Sequence, residues 1–217
     1  MQRSRNVDMK QLLVNLYWIT LLAVIVSSAS GVLKAGFKKF DLFGVIIIAI
    51  TTGLGGGSLR DILLGREVFW VADQVFFIAS LLSATFIFIA ARIFTIPQNF
   101  FLTMDAAGLA TFGIAGTLVA IMMDIPPLLA SFMGVLTGAM GGILRDVLCG
   151  EAPVVFNSQL YATVLWLGSL LFIALLNLSQ DIALSVIVAG FCMFIVRLLA
   201  IHFNINLPKF HFKKAPK

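Results

Sequence analysis

The sequence predicts an all-α membrane protein with seven transmembrane helices, arranged as two inverted three-helix repeats plus a seventh helix, with the second and fifth helices kinked. Three observations predict this. Of 217 residues, 60% are hydrophobic and only 12% charged, with a mean hydropathy of +1.06, whereas a soluble domain needs roughly a quarter of its residues charged to cover its surface. The apolar residues gather into seven runs of about 20, the length a helix needs to cross a hydrocarbon core of about 30 Å. The chain also repeats itself at an offset of 85 residues. High apolar content, two cysteines and glycines without a three-residue period exclude disordered, disulfide-stapled and collagen-like classes. The net charge of +5 does not imply nucleic acid: the bases sit at chain ends and short loops, and no basic helix interleaved with aromatics appears.

The expected spans are 12–33, 42–64, 75–94, 104–123, 128–148, 160–178 and 182–203. They divide the chain into an N-terminal segment 1–11, a first three-helix repeat 12–94, a connecting loop 95–103, a second repeat 104–178, a seventh helix 182–203 and a basic tail 204–217. The first run follows Arg3, Arg5 and Lys10, as a secretory signal would. It is nonetheless longer than a signal core of about 7–15 residues, and Lys34, Lys38 and Lys39 follow it as a stop-transfer cluster does. Links as short as 123–127 and 179–181 make neighbouring helices antiparallel and adjacent. Seven crossings put the termini on opposite sides. Four bases (Arg3, Arg5, Lys10, Arg66) lie on the amino-terminal side and eight (Lys34, Lys38, Lys39, Arg92, Lys209, Lys213, Lys214, Lys217) on the other. The positive-inside rule then places the N-terminus outside and the C-terminus in the cytoplasm. Cys149 and Cys192 fall near or within spans and read as apolar packing.

The repeat is read directly. Thr52, Gly53, Gly56, Gly57, Leu59, Arg60, Asp61, Leu63 and Gly65 recur as Thr137, Gly138, Gly141, Gly142, Leu144, Arg145, Asp146, Leu148 and Gly150. Gly31 and Gly116 match at the same offset, so each unit is three helices long. An odd number of crossings per unit forces the second copy upside down relative to the first, an arrangement found mainly in proteins that move solutes. The seventh span belongs to neither unit and is expected on the outside or at a subunit contact.

Within the second span, Thr51, Thr52, Gly53, Gly55, Gly56 and Gly57 interrupt a smooth apolar helix. Each glycine costs about 1 kcal/mol relative to alanine, so the run is expected to kink or unwind the helix. Freed carbonyls in lipid are tolerated only against protein or a wet path, where they supply oxygen ligands for a cation. The fifth span repeats the design with Thr137, Gly138, Gly141 and Gly142, although Met140 stands where Gly55 does. The small-xxx-small spacing of Gly53 and Gly57, and of Gly134, Gly138 and Gly142, supports a second reading, close helix approach. Arg60 with Asp61, and Arg145 with Asp146, follow the glycines. An arginine near a helix centre costs about 2.5–3.5 kcal/mol to insert, so these charges have work to do, in gating the path or in fixing helix register. Adjacent helical residues point about 100° apart, so each charge is expected to find its partner elsewhere. For Arg145 that partner is Asp105; the counterpart of Asp105 in the first repeat is Thr20.

No catalytic constellation accompanies these features, and the chain is not expected to be an enzyme, to carry a cofactor or to bind a metal tightly. Its histidines are limited to His202 and His211, and Gly53–Gly57 lacks the Lys-Ser/Thr ending of a phosphate loop. The basic aromatic stretch 208–217 reads as an orienting tail or one attracted to anionic lipid.

The paired motifs, Gly55 to Gly65 and Gly141 to Gly150, resemble those of the bacterial and archaeal relatives of the trimeric intracellular cation (TRIC) channels. The duplicated domain of that family also carries the label glycine transporter. The resemblance covers about residues 12–178. It implies a homotrimer surrounded by lipid in the bacterial or archaeal cytoplasmic membrane. Each subunit would have its own K+-permeable pore, lined by the second and fifth helices. The expected function is therefore a passive monovalent-cation channel that prefers K+ to Na+, with hydroxyls of Thr51, Thr52 and Thr137 replacing part of the hydration shell. The alternatives are a secondary carrier for glycine or another small zwitterion, and a non-conducting scaffold.

Overall fold

The computed structural model describes residues 2–157, 160–179 and 181–206, with side-chain surroundings from Leu12 onward except at Gln98 and Asn157. The helices in chain order are α1 (Gln2–Gly36), α2 (Leu42–Leu63), α3 (Phe69–Ala72), α4 (Val75–Ile93), α5 (Gln98–Met122), α6 (Pro127–Leu148), α7 (Val154–Asn157), α8 (Ala162–Ser179) and α9 (Ile182–His202). Seven of them are long and apolar enough to span a membrane, and no strand occurs among the described residues. Expectations for the side chains of Arg3, Arg5 and Lys10, and for 208–217, which includes His211 and the four tail lysines, lie outside the described residues.

Two helix starts differ from the sequence reading: α1 already begins at Gln2, within the expected N-terminal segment 1–11, and α5 begins earlier for a local reason. The fourth span starts at Gln98, not 104, because Pro97 is the extended N-cap (φ −62°, ψ 142°); proline has no N–H to donate and its fixed φ suits a helix entrance. The loop expected at 95–103 shrinks accordingly. The segments after the second and fifth spans are not plain loops but carry the single turns α3 and α7. Asp41 and Asp181 cap α2 and α9, their carboxylates accepting the Gly44 and Leu184 N–H at 2.7 and 3.1 Å. The C-termini of α2 and α6 close identically: Gly65 (φ +63°) and Gly150 (φ +69°) take the left-handed turn, and Arg66 and Glu151 N–H return to the Asp61 and Asp146 carbonyls. Only glycine enters that region without a Cβ penalty, which explains its recurrence at offset 85.

Packing follows the repeat. α1, α2, α5 and α6 pack on one another; α4 lies against α1 and α2 as α8 lies against α5 and α6. The α2–α6 crossing is reciprocal. A Cβ added at Gly56 would collide with the Thr137 carbonyl oxygen, and one at Gly141 with the Thr52 carbonyl oxygen. Since Thr52 pairs with Thr137 and Gly56 with Gly141 in the repeat, this exchange is the signature of a two-fold relation between the copies. α9 breaks the symmetry by packing on α8 and α5, making α5 the most buried span. Leu82, Phe86, Leu178, Ile187 and Phe191 face outward, a surface that suits acyl chains.

α2 and α6 are unbroken α-helices from end to end. This corrects the expectation that the glycine run unwinds them and frees carbonyls. Unwinding in lipid would leave several backbone groups unsatisfied, whereas keeping the helix forfeits about 1 kcal/mol per glycine and gains close packing.

Candidate functional site

The candidate site is built around the α2–α6 crossing. Because glycines let the backbones touch, the threonines one turn earlier are carried to the molecular centre. Thr52 and Thr137 are buried, their hydroxyls donating to the Ile48 and Met133 carbonyls at 2.6 and 2.7 Å. Each Oγ1 therefore keeps its lone pairs for another donor or a cation. Beside them is a cavity of about 10 Å³ whose lining includes Ser27, Ser30, Thr52, Asp105, Thr137 and Tyr161. That volume holds one water or one ion of water's size.

The remaining predicted residues divide. Gly53 packs against Ser28 and Gly138 against the Leu109 carbonyl; Gly55 meets Leu144 and Gly57 the Phe69 ring. Gly138, Gly141 and Gly142 line the cavity, whereas Gly53, Gly55, Gly56 and Gly57 are not in its wall. Thr51 is half-buried and bonds back to the Ile47 carbonyl at 2.7 Å, away from the cavity lining.

Both arginines are fully buried, one towards each end of the molecule. Arg60 Nε donates to Asp61 Oδ1 at 2.9 Å, and Asp61 Oδ2 accepts the Phe69 N–H at 3.0 Å. Arg145 Nε donates to Asp146 Oδ1 at 2.9 Å, and Asp146 Oδ2 accepts the Val154 N–H at 2.9 Å. The two constellations match atom for atom at offset 85. They correct the expectation that neighbours in sequence cannot pair: the long arginine arm folds back so that its Nε, not its terminal nitrogens, reaches the adjacent carboxylate. Each aspartate thereby ties its helix to the following single turn, α3 or α7.

Beyond this core the ends diverge. Arg145 Nη1 donates to Asp105 Oδ1 at 2.6 Å and to Ser30 Oγ at 3.1 Å, and its guanidinium lies 4.9 Å from the Phe101 ring centroid. Arg60 Nη1 has no hydrogen-bond partner among the described residues; its guanidinium lies 5.6 Å from the Phe69 ring centroid, within an aromatic group of Phe69, Phe76 and Tyr17.

Three further features were not singled out by sequence reasoning. Glu151 accepts from Lys34 and, at 2.8 Å, from Lys38, and these hydrogen bonds hold its carboxyl at about 2, well below the ordinary 4.5. Tyr161 is buried beside the cavity. Arg197 of α9 is buried 4.8 Å from the Tyr161 ring centroid, so the seventh helix adds a charge to the Arg145 end rather than only an outer wall. Arg197 was visible as a charge inside an apolar span, a signal that such a residue does something. Nothing local in the sequence pairs Lys34 with Glu151, which are 117 residues apart.

Comparison with known proteins places this geometry. The family described as glycine transporter matches residues 17–92 and again 102–177, two stretches displaced by 85, the offset of the repeat. An inner membrane protein of Escherichia coli (strain K12), YadS, is 33% identical over 89% of this chain and 95% of its own length. The Bacillus subtilis (strain 168) membrane protein YvgT is 34% identical over 90% and 96%. Among solved structures, the TRIC trimeric intracellular cation channel orthologue from Rhodobacter sphaeroides is similar at a TM-score of 0.83 and 33% identity, covering 88% of this chain and 98% of that one. A prokaryotic TRIC channel in 0.5 M KCl is similar at 0.82 and 28%, covering 90% and 100%. With two matched repeats, a reciprocal glycine crossing and paired arginine-aspartate ends, the chain belongs to the prokaryotic TRIC channel family.

Proposed function

We propose that this integral membrane protein is a passive monovalent-cation channel, K+-preferring, with one path inside each subunit of a homotrimer. The observation that carries the reading is the cavity at the α2–α6 crossing, whose lining brings hydroxyls and one carboxylate together with Leu109, Phe112 and helix glycines and borders the buried Arg145 through Asp105 and Ser30. Thr52 and Thr137 Oγ1, Ser27, Ser30 and Asp105 offer oxygens to a partly dehydrated cation, and Asp105 supplies the negative charge that offsets the arginines. The described conformation is closed, since the cavity holds only one small particle. The lysine-rich face that includes Lys34 and Lys38 is the cytoplasmic one by the positive-inside rule, which leaves the Arg66 face outside. Dedicated anchors such as α3 and α7 suit opening by movement of the motif ends while the glycine crossing stays fixed.

The glycine-carrier alternative draws support from the family's description, and because the cavity of about 10 Å³ belongs to a closed conformation, transport measurements separate the two readings. Reconstitution in planar bilayers tests the proposal. Unitary currents reversing near the K+ potential under a KCl gradient are expected; saturable uptake of labelled glycine into liposomes, without such currents, would replace the channel by a carrier.

A further inference from the structure

The two ends of the path are built from the same motif but held by different numbers of bonds. At the Arg145 end, the guanidinium makes three side-chain hydrogen bonds, to Asp146, Asp105 and Ser30. At the Arg60 end the corresponding group makes one, to Asp61. The difference is written in the repeat: the counterparts of Asp105 and Ser30 at offset 85 are Thr20 and Ala115, both buried, so neither restores the missing carboxylate. Among the fully buried atoms of each arginine, one terminal nitrogen has no hydrogen-bond partner, Nη1 of Arg60 and Nη2 of Arg145. The asymmetry therefore lies in the bonds that join different helices, one within the second repeat and one across to the first. Arg145 on α6 reaches Asp105 on α5 and Ser30 on α1, whereas Arg60 reaches only its own neighbour.

We propose that the ends are unequal gates: the Arg145–Asp105–Ser30 end is the tight gate that controls opening, and the Arg60 end is the labile one, admitting ions from the Arg66 face to the central cavity while the other end stays shut. The inference rests on the channel reading, because it presumes that the cavity lies on a route between the two faces. Two gates in series conduct only when both are open, and the occupancy of the open state is most sensitive to the gate that is mostly closed. One charge-assisted hydrogen bond shifts such an equilibrium by about tenfold or more, so the extra bonds to Asp105 and Ser30 are enough to decide which gate that is. Asp105 also lines the cavity, so breaking its bond to Arg145 both loosens the gate and frees a carboxylate for the cation.

The test is a sided accessibility measurement that needs no current. In a Cys149→Ala/Cys192→Ala background, Thr52→Cys places one thiol in the cavity wall; Ser27→Cys is a second position should the first fail to insert. Ag+, a monovalent cation that captures thiols, is added outside right-side-out or inside-out membrane vesicles. Thiols left free are counted by alkylation and mass after denaturation, and accessibility of a C-terminal tag identifies the face. Capture at least tenfold faster from the Arg66 face than from the Lys34 face is expected. Thr20→Asp should slow the Arg66-face rate about tenfold, the size of one charged bond, and Asp105→Asn should speed the Lys34-face rate by a similar factor. Equal rates, faster capture from the Lys34 face, or no capture from either face would overturn the inference. Sided capture in a protein that passes no current would sink the channel reading and leave the unequal ends standing.

Discussion

The Arg60 and Arg145 ends share nine sequence identities across the motif, the same helix-closing glycine and the same aspartate tie to a following turn, yet only the second is cross-linked between repeats. The comparison teaches that duplication copies what is local and leaves long-range partners free to diverge. Bonds made within one motif, such as Arg60 to Asp61 and Arg145 to Asp146, survive in both copies. Bonds that need a residue from the opposite repeat, such as Arg145 to Ser30, exist in one. α9 enlarges the difference by bringing Arg197 to the Arg145 end.

The sharpest way to break this comparison is to remove the shared acid from each copy. Asp61→Ala leaves a buried Arg60 without a carboxylate and is expected to cost about 3–5 kcal/mol, as breaking a buried pair does. Asp146→Ala leaves Arg145 with Asp105 and should cost 1–2 kcal/mol less, about one charged hydrogen bond. Thermal unfolding of the detergent-solubilised protein compares them; equal losses would mean that Asp105 does not secure Arg145.

Next in size, Gly56→Ala and Gly141→Ala probe what the two copies have in common. Each drives a methyl into a backbone carbonyl, so both should destabilise by about 1–3 kcal/mol and to similar extents. Gly36→Ala, with open space around the added methyl, should stay within about 0.5 kcal/mol of the parent. A large difference between Gly56→Ala and Gly141→Ala would deny the two-fold crossing.

The smallest effect concerns the lysine-rich face alone. Lys34 and Lys38 lower the Glu151 pKa from 4.5 to about 2, so their contribution is present above about pH 4.5 and is lost as the pH falls towards 2. The pair is partly exposed, so less than about 1 kcal/mol is at stake. Glu151→Gln should flatten this acid limb of the unfolding midpoint against pH, and an unchanged limb would show that the contact contributes nothing.

Much of the architecture was legible because lipid simplifies the code. Seven spans follow from apolar length, and inversion follows from counting three crossings per repeat. Asp105 could be matched to Arg145 because an acid and a base on neighbouring spans at the same depth have few other partners. Unwinding of α2 and α6 was wrongly expected because propensity scales measured in water charge each glycine for flexibility and omit the close contact it permits. The arginine-aspartate neighbours were misjudged for a related reason: helical-wheel geometry fixes where Cβ points, while the arginine arm is long enough to return. Among the candidate site residues, Thr52, Thr137, Gly138, Gly141, Gly142 and Asp105 come together around one cavity. Thr51, Gly53 and Gly55 shared the same local pattern but face other neighbours.

The sequence by itself determined what the solvent dictates and what duplication preserves: the spans, their count, the repeat and the residues at each motif, since hydrophobic length and identity at a fixed offset are properties of the chain alone. Only the tertiary structure decided which backbone touches which, that the glycines close a crossing instead of opening a helix, and that one arginine is held from three directions and the other from one. Those outcomes depend on distances between residues far apart in the chain, set by how seven helices share a limited volume.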